Sequence, residues 1–389
     1  MMVPCLAIIA THPIQYHVPW YRALAARTDL HLHVFFAALP DPEAQGTGFG
    51  QPFSWDLPLL EGYRSTVLKN RRRRPRLNGF FASSAPAYRA LEQLRPAAVV
   101  ITGWHQWPML QALGACRRLR IPTIVRAESN SMRPRLAGVR FIHRRLLRMF
   151  DAFLAIGTSN RDFYERAGVP SERILDCPYF VDNERFAEDA ARLATARRTL
   201  RRSWGIADDA TVFAFVGKLQ RKKRPADVIE AASIARARGA EVHVLVVGGG
   251  TLEAQLRSRA AEARLPITFA GFLNQSEVAK AYVACDALVL PSDYGETWGL
   301  VVNEAMACGR PALVSDRVGC GPDLIREGET GHVFPFADRE ALAELMVRLS
   351  ACPGTLRVMG ERARRHVMQG FSIDRAVCAT ARAVMVAAR

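Results

Sequence analysis

Several features that would direct the reading elsewhere are missing from this chain. The eight cysteines stand singly, at Cys5, Cys116, Cys177, Cys285, Cys308, Cys320, Cys352 and Cys378. No CxxC pair occurs among them, so neither a zinc site nor a secreted disulfide scaffold is indicated. A reducing cytosol is the simplest compartment for such thiols. No run approaches the roughly 18 apolar residues of a membrane span. The apolar run from Val3 to Ala10 has no basic leader and ends in Thr11-His12-Pro13, which is unlike a signal peptide. The segment after it, Ala10 to His17, lacks GxGxxG, which weakens a nicotinamide-cofactor reading. There is also no DxD pair of carboxylates of the kind that bridges a metal ion to a diphosphate.

What is present is ordinary globular material of two-domain size: 389 residues, 49% hydrophobic and 23% charged. The net charge is +16 and lies mostly in the first half, where 25 Lys and Arg face 14 Asp and Glu through Arg185. Arg71 to Arg74 with Arg76 form one dense run, and Arg140, Arg144, Arg145 and Arg148 form another. Such a field favours anionic partners, whether lipid head groups, nucleic acid or acidic glycans. Residues 38–85 read as a long irregular region, either a solvated surface or one that meets a membrane or an acceptor.

Apolar runs alternate with helical segments. Strands are expected at 6–10, 32–37, 97–102, 123–127 and 152–157, and again at 211–217, 242–248, 267–272, 287–292, 311–316 and 332–336. Amphipathic helices are expected between most of them, for example Arg224 to Arg238 and Thr251 to Ala263. Near-continuous apolar strands separated by helices imply parallel sheets covered on both faces. The pattern occurs twice, so the expected fold class is α/β, with two Rossmann-like doubly wound domains facing a central cleft. The expected domains are 1–185, which binds acceptor, and 186–370, which binds donor. A closing helix at 371–389 is expected to pack back on the first domain.

The most informative stretch is Pro291 to Pro311, PSDYGETWGLVVNEAMACGRP. An apolar run precedes Glu296, and TWGLVVNEAMAC reads as a helix stopped by Gly309 and Pro311. Glu296 then lies in a strand-to-helix loop and Glu304 about two turns into the helix. Free N–H groups and a partial positive charge at the helix start suit a phosphate. Two flanking carboxylates that bind hydroxyls suit a sugar nucleotide. A plainer reading leaves Glu304 as a solvated helix residue and Glu296 as an N-cap acid. The second half also opens with Gly217-Lys218 and then Lys222, Lys223 and Arg224 at one strand-to-helix junction, where they can neutralise a diphosphate. Gly248-Gly249-Gly250 permits close backbone approach. Phe272 and Leu273, at another strand end, are a place for a nucleobase. In the first half, Gly103-Trp104-His105-Gln106-Trp107 follows a strand, and so does Glu128. His105 is a candidate sugar contact; Glu128 is an acceptor-side base or an arginine partner.

These pieces resemble the retaining glycosyltransferases of family 4, the group 1 glycosyltransferases with the GT-B fold. The match rests on Glu296-x7-Glu304 within ETWGLVVNEAMACGRP and on GKLQRKK with Lys218 and Lys223, supported by VDNERF, the glycine run and Gly271-Phe272-Leu273. The first half matches in its strand–helix plan and its THPIQYH opening. The resemblance implies that Lys218 and Lys223 bind the donor diphosphate. It places Glu296 on sugar hydroxyls, the Thr297, Trp298, Gly299 and Leu300 backbone near sugar and phosphates, and Glu304 on the ribose. His105 matches, by position, a histidine that touches the transferred sugar. Arg224 departs from the family, where many members have glycine. The implied reaction is retaining, metal-independent transfer from a UDP-, GDP- or ADP-sugar to a glycan or lipid-linked acceptor, with no cofactor beyond the donor. It is expected in the cytoplasm, peripheral to the inner face of the cell membrane through the basic half. The alternatives are a sugar-nucleotide epimerase or hydrolase on the same fold, and a basic nucleic-acid-binding protein, which the acidic pair and the two Rossmann-like halves disfavour.

Overall fold

The apolar runs fold as parallel strands in the computed structural model, which describes residues 3–71, 79–81 and 83–387. The first sheet contains β1 (Cys5–Ala10), β2 (His31–Phe36), β3 (Ser65–Val67), β4 (Ala98–Ile101), β5 (Thr123–Arg126), β6 (Ala152–Ala155) and β7 (Ile174–Asp176). Its order is β3-β2-β1-β4-β5-β6-β7. The second contains β8 (Thr211–Val216), β9 (Val242–Val247), β10 (Ile267–Gly271), β11 (Ala287–Leu290), β12 (Ala312–Ser315) and β13 (Gly331–Phe334). Its order is β10-β9-β8-β11-β12-β13.

In each sheet the first strand sits at the reversal of strand order. Ile8 of β1 lies opposite Val34 of β2 and Val100 of β4. Phe213 of β8 lies opposite Val244 of β9 and Ala287 of β11. The β1/β4 and β8/β11 junctions are therefore topological switch points, the places where open parallel sheets bind ligands beyond the carboxyl ends of their strands. Side chains alternate between the two covered faces, as the pleat requires. Leu6 and Ile8 pack with Trp20 and Tyr21, whereas Ala7 and Ile9 pack with Leu113 and Phe150.

Two strands, β3 and β7, fall outside the sequence expectation. Both are three-residue strands at the edges of the first sheet, too short to make an apolar run. The expected helix at Arg224 begins at Pro225, and the one at Thr251 runs Glu253–Glu262. The helix after Glu296 is shorter than expected, Leu300–Ala307, which puts Glu304 just over one turn in rather than two.

The chain divides into two compact units. The first takes residues up to Gln45, Phe53–Val181, and residues from Phe371 onward; the second takes Gly46–Pro52 and Asp182–Gly370. The division thus falls after Val181 rather than Arg185, and a seven-residue piece of the early chain, Gly46–Pro52, belongs with the later one. Asp182 caps the next helix, accepting from the Arg185 amide at 3.2 Å. The last helix, Ile373–Ala387, is part of the first unit. Its Ala376, Ala383 and Val384 share a core with Leu6, Ile8 and Phe180. The basic helix Arg197–Ser203 serves the second unit internally: Asp286, just before β11, accepts from Arg197 at 2.5 Å, from buried Arg201 at 2.7 Å and from the Val212 amide at 2.8 Å.

Candidate functional site

The second unit gathers its polar residues on the loops that leave β8 and β11, the two strands of its switch point. Gly217 and Lys218 follow β8; Glu296 lies beyond the end of β11. The Lys222 carbonyl accepts from the Asp293 amide at 2.9 Å, which ties the two loops together. Lys223 and Glu296 meet as a close ion pair, with side chains only 17% and 13% exposed. Ser292, fully buried, donates to the same Glu296 oxygen at 3.3 Å. Its own carbonyl is held by the Ser315 hydroxyl at 2.6 Å, so the loop just past β11 and the last residue of β12 together fix the carboxylate. Lys218 belongs to the same β8 loop. Its pKa is lowered, chiefly by burial, and further by Lys222 and Lys223, so a dianion entering this loop would be drawn to cations held close together at a cost.

The segment Glu296–Trp298 is clamped from the far side. Gly319 donates its amide to the Glu296 carbonyl at 3.1 Å, and Cys320 to the Trp298 carbonyl at 3.0 Å. Thr297 is half-buried, Trp298 is buried and its indole N–H donates to Asn303 at 2.8 Å, and Gly299 caps the helix that Leu300 begins. The first-turn N–H groups of such a helix have no intrahelical acceptor.

Glu304 is not the solvated helix residue of the plainer reading. It is 1% exposed, and its carboxylate accepts from the Tyr282 hydroxyl at 2.5 Å. Arg224 explains its own departure from the family pattern: its φ is +50°, the left-handed region that glycine enters most freely. Its guanidinium turns away to Asp227, at 2.9 Å, and lies 4.8 Å from the centre of the Phe336 ring.

The glycine run proves to be a packing device between strand ends. A Cβ on Gly250 would stand 2.6 Å from the Leu219 carbonyl oxygen. Leu219 donates to the Gly249 carbonyl at 2.9 Å and Gly248 to that of Gly271 at 2.7 Å. The ends of β8, β9 and β10 are thereby drawn together, with Phe272 and Leu273 half-buried beside them. The contacts of Lys218 and Phe272 come from an unexpected source, the early segment Gly46–Pro52. The Thr47 carbonyl accepts from Lys218 at 2.8 Å, and the Phe49 ring meets Phe272 edge-on at 5.1 Å.

In the first unit, His105 is exposed beyond the end of β4, at that sheet's switch point. Trp104 fills the core, stacked on Phe163 at 6.1 Å, whereas Trp107 lies at the surface beside Phe80 and Phe81. Glu128, exposed at the end of β5, accepts from the Tyr179 hydroxyl at 2.5 Å. Arg126 lies beneath, fully buried, 3.2 Å from His17 and 4.5 Å from the Tyr179 ring centre. Burial, then Arg126 and His12, push the His17 pKa well down, so this histidine is neutral. Sequence reading missed Ser292, Tyr282 and Gly46–Pro52 in the second unit and this buried group in the first. Tyr282, Gly46–Pro52 and the buried group act through partners distant in sequence, for which no local pattern exists; Ser292 reaches Glu296 four residues on but is itself held by Ser315 of another strand. The arginine run lies mostly outside the described residues; of it, only Arg71 falls within them. Among the described residues, no cluster of His, Cys, Asp and Glu has metal-site geometry, and no helix is long and apolar enough to cross a membrane.

Two family models match along the chain: "Glycosyl transferase 4-like domain" over residues 12–179 and "Glycosyl transferases group 1" over 196–366. A D-inositol 3-phosphate glycosyltransferase of Streptomyces bingchenggensis is 34% identical over 212 residues, covering 52% of this chain and 45% of that protein. The chain thus spans about half the length of the first curated relatives it matches. An O-antigen chain mannosyltransferase C of Escherichia coli is 25% identical over 296 residues, covering 75% of this chain and 76% of its own. Among solved structures, Anabaena HepE in complex with UDP-glucose superposes with a TM-score of 0.71 at 17% identity, over 98% of this chain and 99% of that one. Two switch-point sheets, a Lys–Glu pair on the second, and family models along both halves agree: the chain belongs to the group 1 glycosyltransferases, with their two-domain GT-B fold.

Proposed function

We propose that the protein transfers a sugar from a nucleoside-diphosphate donor to a glycan or lipid-linked acceptor, with retention of anomeric configuration and without a metal ion. The observation that carries this reading is the Lys223–Glu296 pair on the loops after β8 and β11, with Lys218 on the same β8 loop. Breaking the bond between the anomeric carbon and the diphosphate oxygen puts growing negative charge on the leaving group. Lys218, Lys223 and the start of the helix Leu300–Ala307 are fixed cations and dipoles for that charge, and preorganised charge costs little reorganisation as the reaction proceeds. Glu296 orients the sugar through its hydroxyls. The acceptor oxygen bonds to the anomeric carbon on the face the diphosphate leaves, and the acceptor proton passes to a donor phosphate oxygen. No enzyme nucleophile takes part. For Glu304 to take the ribose hydroxyls, its carboxylate must give up the Tyr282 hydroxyl or share it. His105 is assigned to the transferred sugar from the acceptor-side unit.

UDP-glucose bound to HepE supports a nucleotide-sugar donor in this fold, and the E. coli relative supports a glycan acceptor. Peripheral attachment to an anionic membrane is part of the proposal. It is supported by the helix Ala137–Leu147, on which Phe141 (58% exposed) and Ile142 (62%) stand in solvent among exposed Arg140, Arg144 and Arg145. Apolar residues flanked by arginines suit an anionic lipid surface.

A thermal-shift panel of UDP-, GDP- and ADP-sugars with chelator present tests the donor. One sugar nucleotide should raise the melting temperature, because a ligand that binds only the folded state stabilises it by mass action. No shift with any of them, or a shift abolished by chelator, would count against the proposal. Product analysis with donor alone separates a transferase from an epimerase or hydrolase.

A further inference from the structure

The segment Gly46–Pro52 reaches residues about 170 or more positions away in sequence, Lys218 and Gln220 among them. It sits between the first unit's β2 and β3, yet belongs to the second unit. Its contacts fall on the residues assigned above to the donor. The Thr47 carbonyl accepts from Lys218 at 2.8 Å, and the Gly48 carbonyl accepts from the Gln220 side-chain Nε2 at 3.5 Å. The Phe49 ring stands 4.8 Å from the Lys218 ammonium and 5.1 Å from the Phe272 ring. Thr47 and Phe49 therefore both engage the phosphate-side lysine, and the Phe49 ring also fills the space beside the base-side phenylalanine. Its backbone is built for close approach. Gly48 and Gly50 have φ of +89° and +83°, and a Cβ on Gly48 would collide with the Gln220 side chain. On the opposite surface, a Cβ on Gly249 would collide with the Phe49 carbonyl.

We propose that Gly46–Pro52 is an occluding strap of the donor site: it holds Lys218 through a carbonyl oxygen, seats Phe49 against Phe272, and is displaced when a nucleoside diphosphate enters. This rests on the donor-site reading of Lys218. The Thr47 carbonyl is a neutral oxygen where a phosphate oxygen would lie. Burial and two neighbouring lysines already disfavour the Lys218 charge, so a doubly charged ligand gains more from that ammonium than a peptide carbonyl does. The strap thus yields to a diphosphate but keeps the lysine partnered, and the pocket covered, in its absence. Apparent affinity is reduced by the fraction of molecules in which the strap is closed. Loosening the strap should therefore tighten nucleotide binding rather than weaken it.

Calorimetry with UDP, GDP and ADP on the full chain tests this, using Phe49→Ala, Gly48→Ala and Lys218→Ala. Phe49→Ala removes the ring from Lys218 and Phe272. Gly48→Ala strains a backbone position at φ +89° and crowds Gln220 and the Lys218 side chain, dislodging the strap without removing any donor-site side chain. Both should lower the dissociation constant of the preferred nucleotide by about fivefold, with faster association. Unchanged or weaker binding in both variants overturns the strap. Lys218→Ala reports on the underlying assignment: it should weaken the same nucleotide at least tenfold. If it does not, the donor-site reading of Lys218 fails, and the strap with it. A weakened Lys218→Ala beside unaltered Phe49→Ala and Gly48→Ala overturns the strap alone.

Discussion

The substitution Glu296→Gln separates binding of the nucleotide from handling of the sugar. In the free protein the Glu296 carboxylate holds the Lys223 ammonium, and both side chains are largely shielded from water. At an effective dielectric of about 20 and an ordinary ion-pair separation of about 3 Å, the gross attraction is about 5 kcal/mol. Desolvation offsets most of this, and a charged hydrogen bond keeps roughly 1.5–3 kcal/mol net. A diphosphate that engages Lys223 must compete with that contact. The amide introduced at this position keeps the shape of the carboxylate and its approach to Ser292 but gives up the charge, so Lys223 is released to the phosphates. A free nucleoside diphosphate should then bind at least as tightly as to the parent protein, and up to about tenfold tighter for each 1.4 kcal/mol released. Transfer should fall by about 100-fold or more, because the sugar loses a charged acceptor for its hydroxyls, a preorganised interaction of about 3 kcal/mol. Calorimetry with the free diphosphate and turnover of the matching sugar nucleotide measure the two effects on one preparation. If diphosphate affinity and turnover fall together, Glu296 acts as scaffold for the loop, and the reasoning is wrong.

Asp286→Ala should destabilise the second unit by about 3–5 kcal/mol, because it strands buried Arg201 and its neighbour Arg197 without their shared carboxylate. Urea titration measures this, and a loss under about 1 kcal/mol would show that the clamp is not what fixes the helix. Stability should also fall in acid. His243 is buried, and its pKa is lowered to about 4, mainly by burial and then by Arg201 and Arg236. The unfolded chain, titrating near 6.5, binds its proton first, so this contribution is complete above about pH 6.5 and is lost as pH falls through about 4. The two values bound it at about 3 kcal/mol. His243→Gln should flatten the slope of unfolding free energy against pH across that window; an unchanged slope would remove His243 from the account.

The two-sheet plan was legible because buried parallel strands are apolar without interruption, as in Val242–Val247, and no other element reads that way over so few residues. The edge strands Ser65–Val67 and Ile174–Asp176 were not legible, since an edge of three residues leaves no run to find. The Lys223–Glu296 meeting was foreseeable only as two loops of one unit; that they pair depends on β8 lying beside β11, a matter of topology rather than spacing. Glu304 shows the opposite limit. Its place on a helix was readable, but its burial under Tyr282 was not, because Tyr282 reaches it from another helix. Arg224 looked like a defect in a phosphate motif. It is a backbone position with positive φ, whose side chain has its own acid three residues on.

The last helix gives the protein an order of assembly on the ribosome. Ala376, Ala383 and Val384 cover a face of the first sheet beside Leu6 and Ile8, yet they are made after the whole of Asp182–Gly370. At roughly 5–20 residues per second, that face waits roughly 10–40 s for its cover after its last strand has been made. During that interval the second unit can close its own core, while the first carries an uncovered apolar surface that must be shielded by other means. Truncations that remove this helix therefore strike the half of the protein that was synthesised first.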